Sequence, residues 1–231
     1  VCDPRAESNA SLSRLMIGAE PPELAHRPQA LGARVLQVER LDLKRESPFG
    51  VHLVDLSLQV RAGEVVGIAG VSGNGQRELL FALSGEDRRA PAASILIADQ
   101  AAGRLSPSRR RALGLHFVPE ERLGRGAVPE MSLAHNLLLT RREAVGPLGW
   151  LRTGALRAQA QAIIERFRVK AAGPQAPARS LSGGNLQKFI MGREIDARPR
   201  LLIVSQPTWG VDVGAAAQIR GELLALRDAG C

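Results

Sequence analysis

Apolar and polar positions alternate from Val51 to Val60, and Val51, Leu53, Leu56, Leu58 and Val60 form the apolar set. That alternation predicts a half-buried strand, and Val35–Val38 gives a shorter strand signal before it. Arg61-Ala62-Gly63-Glu64 reads as a turn. The continuous apolar run Val65-Val66-Gly67-Ile68-Ala69 predicts a buried strand feeding the glycine-rich stretch Gly70-Val71-Ser72-Gly73-Asn74-Gly75. Helical spacing then sets in, with Leu79, Leu80 and Leu83 on one face of a helix over Arg77–Leu83. Strand, glycine loop and helix in that order are the setting a phosphate-binding loop requires.

Further along, Ile95–Ile97 is a short strand candidate, and Ser106-Pro107 caps a basic helix over Ser108–Leu113. Leu115–Val118 is strand-like and runs into Pro119-Glu120-Glu121-Arg122. Ser132–Thr140 and Gly154–Phe167 are predicted helices. Leu156, Ala160, Ile163, Ile164 and Phe167 give the second its apolar face. After a proline-containing loop, Gly173–Ala178, comes Leu181-Ser182-Gly183-Gly184-Asn185. It precedes another helical run marked by Phe189, Ile190 and Ile195. Leu201–Val204 is an apolar strand, and Ala215–Arg227 is the last predicted helix. Before all of these, Ser11–Ile17 has the spacing of one short helix, and Pro21, Pro22 and Pro28 then prevent regular structure. Residues 1–30 therefore read as tail and linker.

Composition narrows the classes. The chain has 231 residues, 45% hydrophobic and 23% charged, enough to bury a core. No apolar run is long enough to span a bilayer and no signal peptide is evident at the start. The two cysteines, Cys2 and Cys231, make no metal pattern, and the usage fits a reducing compartment. Net charge is +8, carried almost wholly by arginine, since Lys44, Lys170 and Lys188 are the only lysines. Such a charge suits nucleic acid or anionic headgroups. Aromatic residues make up only 3% and the basic residues are scattered, so no base-stacking platform and no nucleic acid partner are expected.

Three stretches carry chemistry. Gly70–Gly75 has the glycine spacing of a Walker A loop, whose backbone N–H groups wrap phosphates. The pattern continues with Lys and then Ser or Thr, but here Gln76 and Arg77 stand in those places. Gln76 carries no charge and Arg77 offers no hydroxyl to Mg²⁺, so the loop keeps phosphate contact through its backbone and loses lysine-assisted hydrolysis. A dinucleotide fingerprint is the rival, but its third glycine falls on Glu78. Ser182 is a good N-cap, and Gly183 and Gly184 let first-turn amides approach an anion. Leu201–Val204 with Ser205-Gln206-Pro207-Thr208 has the form of a Walker B strand. There a carboxylate holds Mg²⁺ and a second acid acts on the attacking water, yet Ser205 and Gln206 occupy both places. Glu120 and Glu121 fit either a metal-facing or a solvated pair. His26, His52, His116 and His135 lack ligand spacing, and Phe49 or His52 has the chemistry to stack on an adenine.

The order of these motifs resembles the nucleotide-binding subunit of an ABC importer, over about residues 33–231. More narrowly, GVSGNGQ, FVPEER with MSLAHNLLL, LSGGN and QPTWGVDVGA are similar to the second, C-terminal nucleotide-binding domain of the simple-sugar and nucleoside importers. In that family two such domains lie in tandem. Leu15-Met16-Ile17-Gly18 resembles the end of the first domain. The resemblance implies an α/β P-loop ATP-binding domain over residues 31–231, with a helical subdomain near 123–180 and an antiparallel edge sheet. It also implies that residues 1–30 are the tail of a preceding domain with its linker, and that the switch segment after the last helix is missing.

The family sandwiches ATP between two domains, the Walker A loop of one facing the LSGG helix of the other. By that resemblance Gly70, Ser72, Gly73, Asn74, Gly75, Gln76 and Arg77 would contact nucleotide weakly. Ser182, Gly183, Gly184 and Asn185 would complete the partner's ATP site, and Asp212 would sit in the loop that meets the opposite domain. With Ser205 and Gln206 at the acid positions, no catalytic residue and no metal site is intact on this chain. Mg²⁺ belongs to the partner site, and this domain alone is expected to be a poor ATPase. Leu186 replaces a common Gln without removing the phosphate site. The expected partners are another nucleotide-binding domain, in tandem or in trans, and transmembrane permease subunits at the cytoplasmic face of the plasma membrane. The competing readings are a non-hydrolysing regulatory or structural module, and a soluble ABC protein of another pathway. The latter needs insertions such as long coiled coils, which this sequence lacks.

Overall fold

The computed structural model of the chain describes residues 7, 8, 11, 15, 30–141 and 149–231. The helix expected over Ser11–Ile17, the tail resemblance at Leu15–Gly18, Cys2 and His26 therefore lie largely or wholly outside the described residues. The described chain forms two compact units, one on Gln29–Glu120, Glu194–Ser205 and Ala225–Cys231, the other on Glu121–Arg193 and Gln206–Leu224.

In the first unit, β1 (Arg34–Leu43) and β2 (Leu53–Arg61) pair antiparallel, and β3 (Ile95–Ile97) and β4 (Gln100–Ala101) extend the sheet to the order β2-β1-β3-β4. The apolar alternation of β1 changes phase between Val38 and Leu41, and that of β2 between Leu53 and Leu56. Both changes are irregularities of the ladder, which pairs Val38 with Leu58, Leu41 with Leu56 and Leu43 with Leu53. Each strand carries one extra residue there, and Arg40 and Asp55 take positive φ to absorb it. The freed amides find side chains: Arg40 N–H donates to Ser57 Oγ at 2.9 Å and Asp55 N–H to Asp42 Oδ1 at 3.0 Å. The bulges keep Leu36, Val38, Leu41, Leu43 and Leu53 buried on one face.

Helix α1 (Gln76–Ser84) adds Leu79, Ala82 and Leu83 to this core. The chain leaves it through Gly85 at φ 85°, where a Cβ would meet Leu105 O at 2.7 Å. Arg110, from the short helix α2 (Pro107–Ala112), is fully buried. Its guanidinium donates to the carbonyls of Ala82, Leu83, Gly103 and Leu105, so it terminates α1. Burial pushes its pKa down to about 10, partly offset by the Asp87 charge. Ser106 accepts from Arg109 N–H with Pro107 at the first helical position, as the sequence predicted.

Strands β5 (Leu115–Val118) and β6 (Leu201–Val204) pair in parallel, Leu115 to Leu201 through Val118 to Val204. Glu194, fully buried, accepts from Arg111 Nη1 at 2.8 Å and lies 2.8 Å from His116 Nδ1. His116 is thus a structural histidine. One expectation fails here. Val65–Ala69 is irregular and has no ladder partner among the described residues. Val65 is 62% exposed and Ile68 56% exposed. An apolar run reports that side chains are able to be buried, but a strand exists only where another backbone pairs with it.

The second unit is helical. Ser132 caps α3 (Leu133–Asn136), accepting from His135 N–H at 3.1 Å. The expected helix over Ser132–Thr140 then tightens into a 3-10 turn over Leu137–Leu139. Buried Asn136 draws the chain around itself, accepting from Val128 N–H and donating to the carbonyls of Val128, Met131 and Ser132. Helix α4 (Thr153–Arg166) buries Leu156, Ala160, Ile163 and Ile164, the face read from the sequence. Helix α5 (Gly183–Asp196) approaches it at Gly192, where a Cβ would lie 2.7 Å from Phe167 Cδ2. Helix α6 (Val213–Asp228) closes the chain. Among the described residues no helix is long and apolar enough to cross a membrane.

Candidate functional site

Both glycine-rich stretches precede a helix, and the two starts are built differently. At the first, Gly75 occupies the N-cap of α1 at φ 95° with no side-chain capping bond. Gly73 also takes positive φ, 92°, so the glycines at 73 and 75 make the turn that other residues would strain. Gly70, Ser72, Gly73 and Asn74 are exposed. Gln76 folds back over this loop: its Oε1 accepts from Asn74 N–H at 3.1 Å and its Nε2 donates to Val71 O at 3.1 Å. A Cβ on Gly70 would lie 2.5 Å from that Nε2. The amide therefore sits inside the turn, and a loop donor that phosphate needs is already engaged. Arg77 points elsewhere, with its guanidinium 5.1 Å from the centre of the Phe81 ring.

At the second start, Ser182 has the predicted capping role. Its Oγ accepts from Asn185 N–H at 3.4 Å, and its carbonyl accepts from Leu186 N–H at 2.9 Å. Ser182 and Gly183 are exposed, and the N–H groups of Gly183 and Gly184 belong to the first turn, which has no intrahelical acceptor. Two amides and one hydroxyl hydrogen are thus presented at the positive end of a helix, a donor set that fits a phosphate. Asn185 also bonds within the protein. Its Oδ1 accepts from Lys170 N–H at 2.9 Å and its Nδ2 donates to Ser182 Oγ at 2.9 Å. Lys188 is buried as well, donating from Nζ to Arg168 O at 2.6 Å, and burial lowers its pKa.

The segment after β6 packs against this turn. Ser205 N–H donates to Val118 O at 2.9 Å, continuing the ladder, and Gln206 is exposed at positive φ. Neither residue supplies a carboxylate. Asp212 caps α6, accepting from Ala215 N–H at 2.8 Å through Oδ1. A Cβ on Gly184 would meet Gly210 O and Val211 Cα at 3.7 Å, ordinary contact distance. Glu121 pairs with Arg125 at 2.8 Å, and Glu120 is exposed. Phe49 is 98% exposed and His52 Nδ1 accepts from Arg45 N–H at 3.4 Å.

Two residues with no individual role in the sequence reading hold this region. Arg122 Nε donates to Gln187 Oε1 at 3.1 Å, and its Nη2 donates to the Trp209 carbonyl. Gln187, 1% exposed, also donates to Pro207 O at 3.2 Å. The available signals were a polar residue in an otherwise apolar helix interior and an arginine after two glutamates; neither names its partner.

A family model described as "ABC transporter" matches residues 53–209, more than half of the chain. The chain is 38% identical to the guanosine import ATP-binding protein NupO of Bacillus subtilis, over 99% of this chain and 45% of that protein. It is 38% identical to the nucleoside import ATP-binding protein NupA of Lactococcus lactis, over 97% of this chain and 44% of that one. It is 39% identical to the glucose import ATP-binding protein TsgD13 of Haloferax volcanii, over 96% of this chain and 41% of that one. The chain spans less than half the length of each of these relatives. The fold is also that of MJ0796, a bacterial ABC transporter cassette solved as a dimer, with a TM-score of 0.69 at 18% identity over 84% of this chain and 83% of that one. The family match and these relatives show that the chain belongs to the ABC transporter family, as an ATP-binding domain with the P-loop fold.

Proposed function

We propose that this chain is the ATP-binding component of an importer for simple sugars or nucleosides, at the cytoplasmic face of the plasma membrane. It works with a second nucleotide-binding domain, in tandem or in trans, and with transmembrane permease subunits. The names of the similar proteins, which import guanosine, nucleosides and glucose, support this substrate range. The resemblance of LSGGN and QPTWGVDVGA to C-terminal domains supports reading residues 31–231 as the second cassette of such a pair. Its helical part near 123–180 would dock on the permease.

In this reading the chain's main contribution is the turn Ser182–Gly184, offered to an ATP whose Lys, Mg²⁺ acid and general base belong to the partner. The observation that carries it is the contrast between the two helix starts. The exposed Ser182 caps its helix start with exposed Gly183 and half-buried Gly184 beside it, whereas Gln76 fills its own loop. Bound ATP supplies the phosphoanhydride whose hydrolysis drives uptake. This chain's amides and hydroxyl orient its terminal phosphate and stabilise the charge that builds there. Gln76, Ser205 and Gln206 leave the chain's own half without a phosphate cation, an Mg²⁺ carboxylate or a base. That also favours the non-hydrolysing module as the second reading.

Steady-state ATPase assays test both. The pure chain is expected to turn over ATP at background rate, with turnover appearing on assembly with an ATP-competent partner cassette. Clear turnover by the pure chain that Gly75→Asp abolishes would refute the division of labour. Assembled turnover indifferent to Gly184→Asp would favour the structural module.

A further inference from the structure

We propose that Arg122 is a positioning residue that holds the signature turn and the 206–211 segment in one rigid arrangement. This rests on the signature reading above. All the residues concerned lie in the same compact unit. Arg122 follows the glutamate pair of Pro119-Glu120-Glu121, at the entry to the helical subdomain. From there its planar fork reaches two separate pieces of chain: Gln187 Oε1, one turn into α5, at 3.1 Å, and the Trp209 carbonyl. Gln187 links the same two pieces a second time through Pro207 O at 3.2 Å. The result is a closed ring of bonds joining the Pro-Glu-Glu-Arg turn, the signature helix and the segment after β6.

The glycines flanking this ring make room for the guanidinium. A Cβ on Gly183 would lie 2.6 Å from Arg122 Nη1, and one on Gly210, at φ 59°, would lie 3.2 Å from Nη2. Gly183 thus has a second reason to be glycine besides exposing its amide: a side chain there would push the arginine off the turn. The ring is also poorly explained as a stabilising ion pair. Both recorded acceptors of Arg122 are neutral, and its partial burial lowers the pKa of the guanidinium. A charge held that way adds little stability. A rigid fork with two acceptors on different segments supplies geometry, which lysine's single ammonium does not reproduce.

The consequence concerns turnover. In that reading the signature turn faces the terminal phosphate of an ATP held mainly by the partner's loop. A looser turn reduces the fraction of complexes reaching the closed, reactive state. It lowers kcat and leaves the apparent ATP affinity nearly unchanged.

The test uses the full chain assembled with its ATP-competent partner cassette, with kcat, KM for ATP and thermal midpoint measured for each variant. Arg122→Gln and Arg122→Lys are each expected to lower kcat about tenfold, with KM held within about twofold. Gln187→Leu gives a smaller loss. The Arg122→Gln/Gln187→Leu double variant is no worse than Arg122→Gln alone, because both substitutions open the same ring. Full activity in Arg122→Lys would overturn the proposal by showing that charge alone suffices. So would a loss that disappears when the variants are assayed well below their thermal midpoints. Gly184→Asp runs alongside. If it is also fully active, the signature reading itself has failed. If it is inactive while both Arg122 variants work normally, only the positioning role has.

Discussion

The loop at Gly70–Gly75 and the turn at Ser182–Asn185 use the same device, a glycine-rich stretch running into the exposed start of a helix. They differ in what occupies the donors. At Ser182 a hydroxyl caps the helix, and the Asn185 side chain bonds to Lys170 N–H and Ser182 Oγ. At Gly75 there is no side-chain cap, and Gln76 satisfies Asn74 N–H and Val71 C=O from within the loop. Glycine spacing alone therefore does not decide which donors of a helix start are already bonded. What matters is whether the neighbouring side chains leave the donors open or use them. Asp212 serves as the cap of α6, whereas Ser205 and Gln206 offer no carboxylate at the end of β6.

The largest test of this comparison places one negative charge in each stretch. At Gly184 an added Cβ would meet nothing nearer than 3.7 Å, so Gly184→Asp is not blocked at its first carbon. It should lower the ATPase rate of the assembled pair by about 100-fold, the scale of losing a preorganised donor to a developing oxyanion. Ser72→Asp on the exposed loop should leave that rate within about twofold, because a phosphate contact there contributes little to turnover. Equal losses from the two would erase the distinction.

A second test turns the weaker stretch into the stronger kind. Gln76→Lys removes the amide from the turn, frees Asn74 N–H and adds a charge-assisted contact. Nucleotide binding by the pure chain, followed by calorimetry, should tighten about tenfold, or ~1.4 kcal/mol. Hydrolysis should stay at background, since no acid is restored at 205 or 206. Unchanged affinity would mean that the loop is limited by something other than Gln76.

The smallest effects concern the caps. Ser182→Ala and Asp212→Ala each remove one capping acceptor, and each should lower stability by about 1 kcal/mol in denaturant unfolding. They differ in function: Ser182→Ala also removes a donor to phosphate and should slow the assembled ATPase, whereas Asp212→Ala should mainly loosen α6. A stability loss at Ser182 well beyond that of Asp212 would mean that the turn is held by more than its cap.

Much of this was legible along the chain. The Ser-Pro start of α2, the buried face of α4, the Ser182 cap and the existence of strands β1 and β2 all follow from local rules of spacing and capping. The paired bulges were not read from the alternation from Val51 to Val60; the ladder register between Val38 and Leu41 and between Leu53 and Leu56 brought them out. That Gln76, Ser205 and Gln206 carry no charge and no basic group was also readable, since those are properties of residue type. The Val65–Ala69 run was misread because a strand depends on a distant backbone that no local pattern contains.

The sequence by itself determined which chemical groups this domain owns and which helix starts expose amides, because side-chain type, glycine and N-cap preference act over a few residues. Only the tertiary structure decided how those groups are spent. It tied Asn185 to Lys170 and Ser182, folded Gln76 into its own loop, and brought Arg122 to Gln187 and Trp209. Each of these is a contact made or refused in three dimensions, where hydrogen-bond geometry and close packing select one partner among many that composition allows.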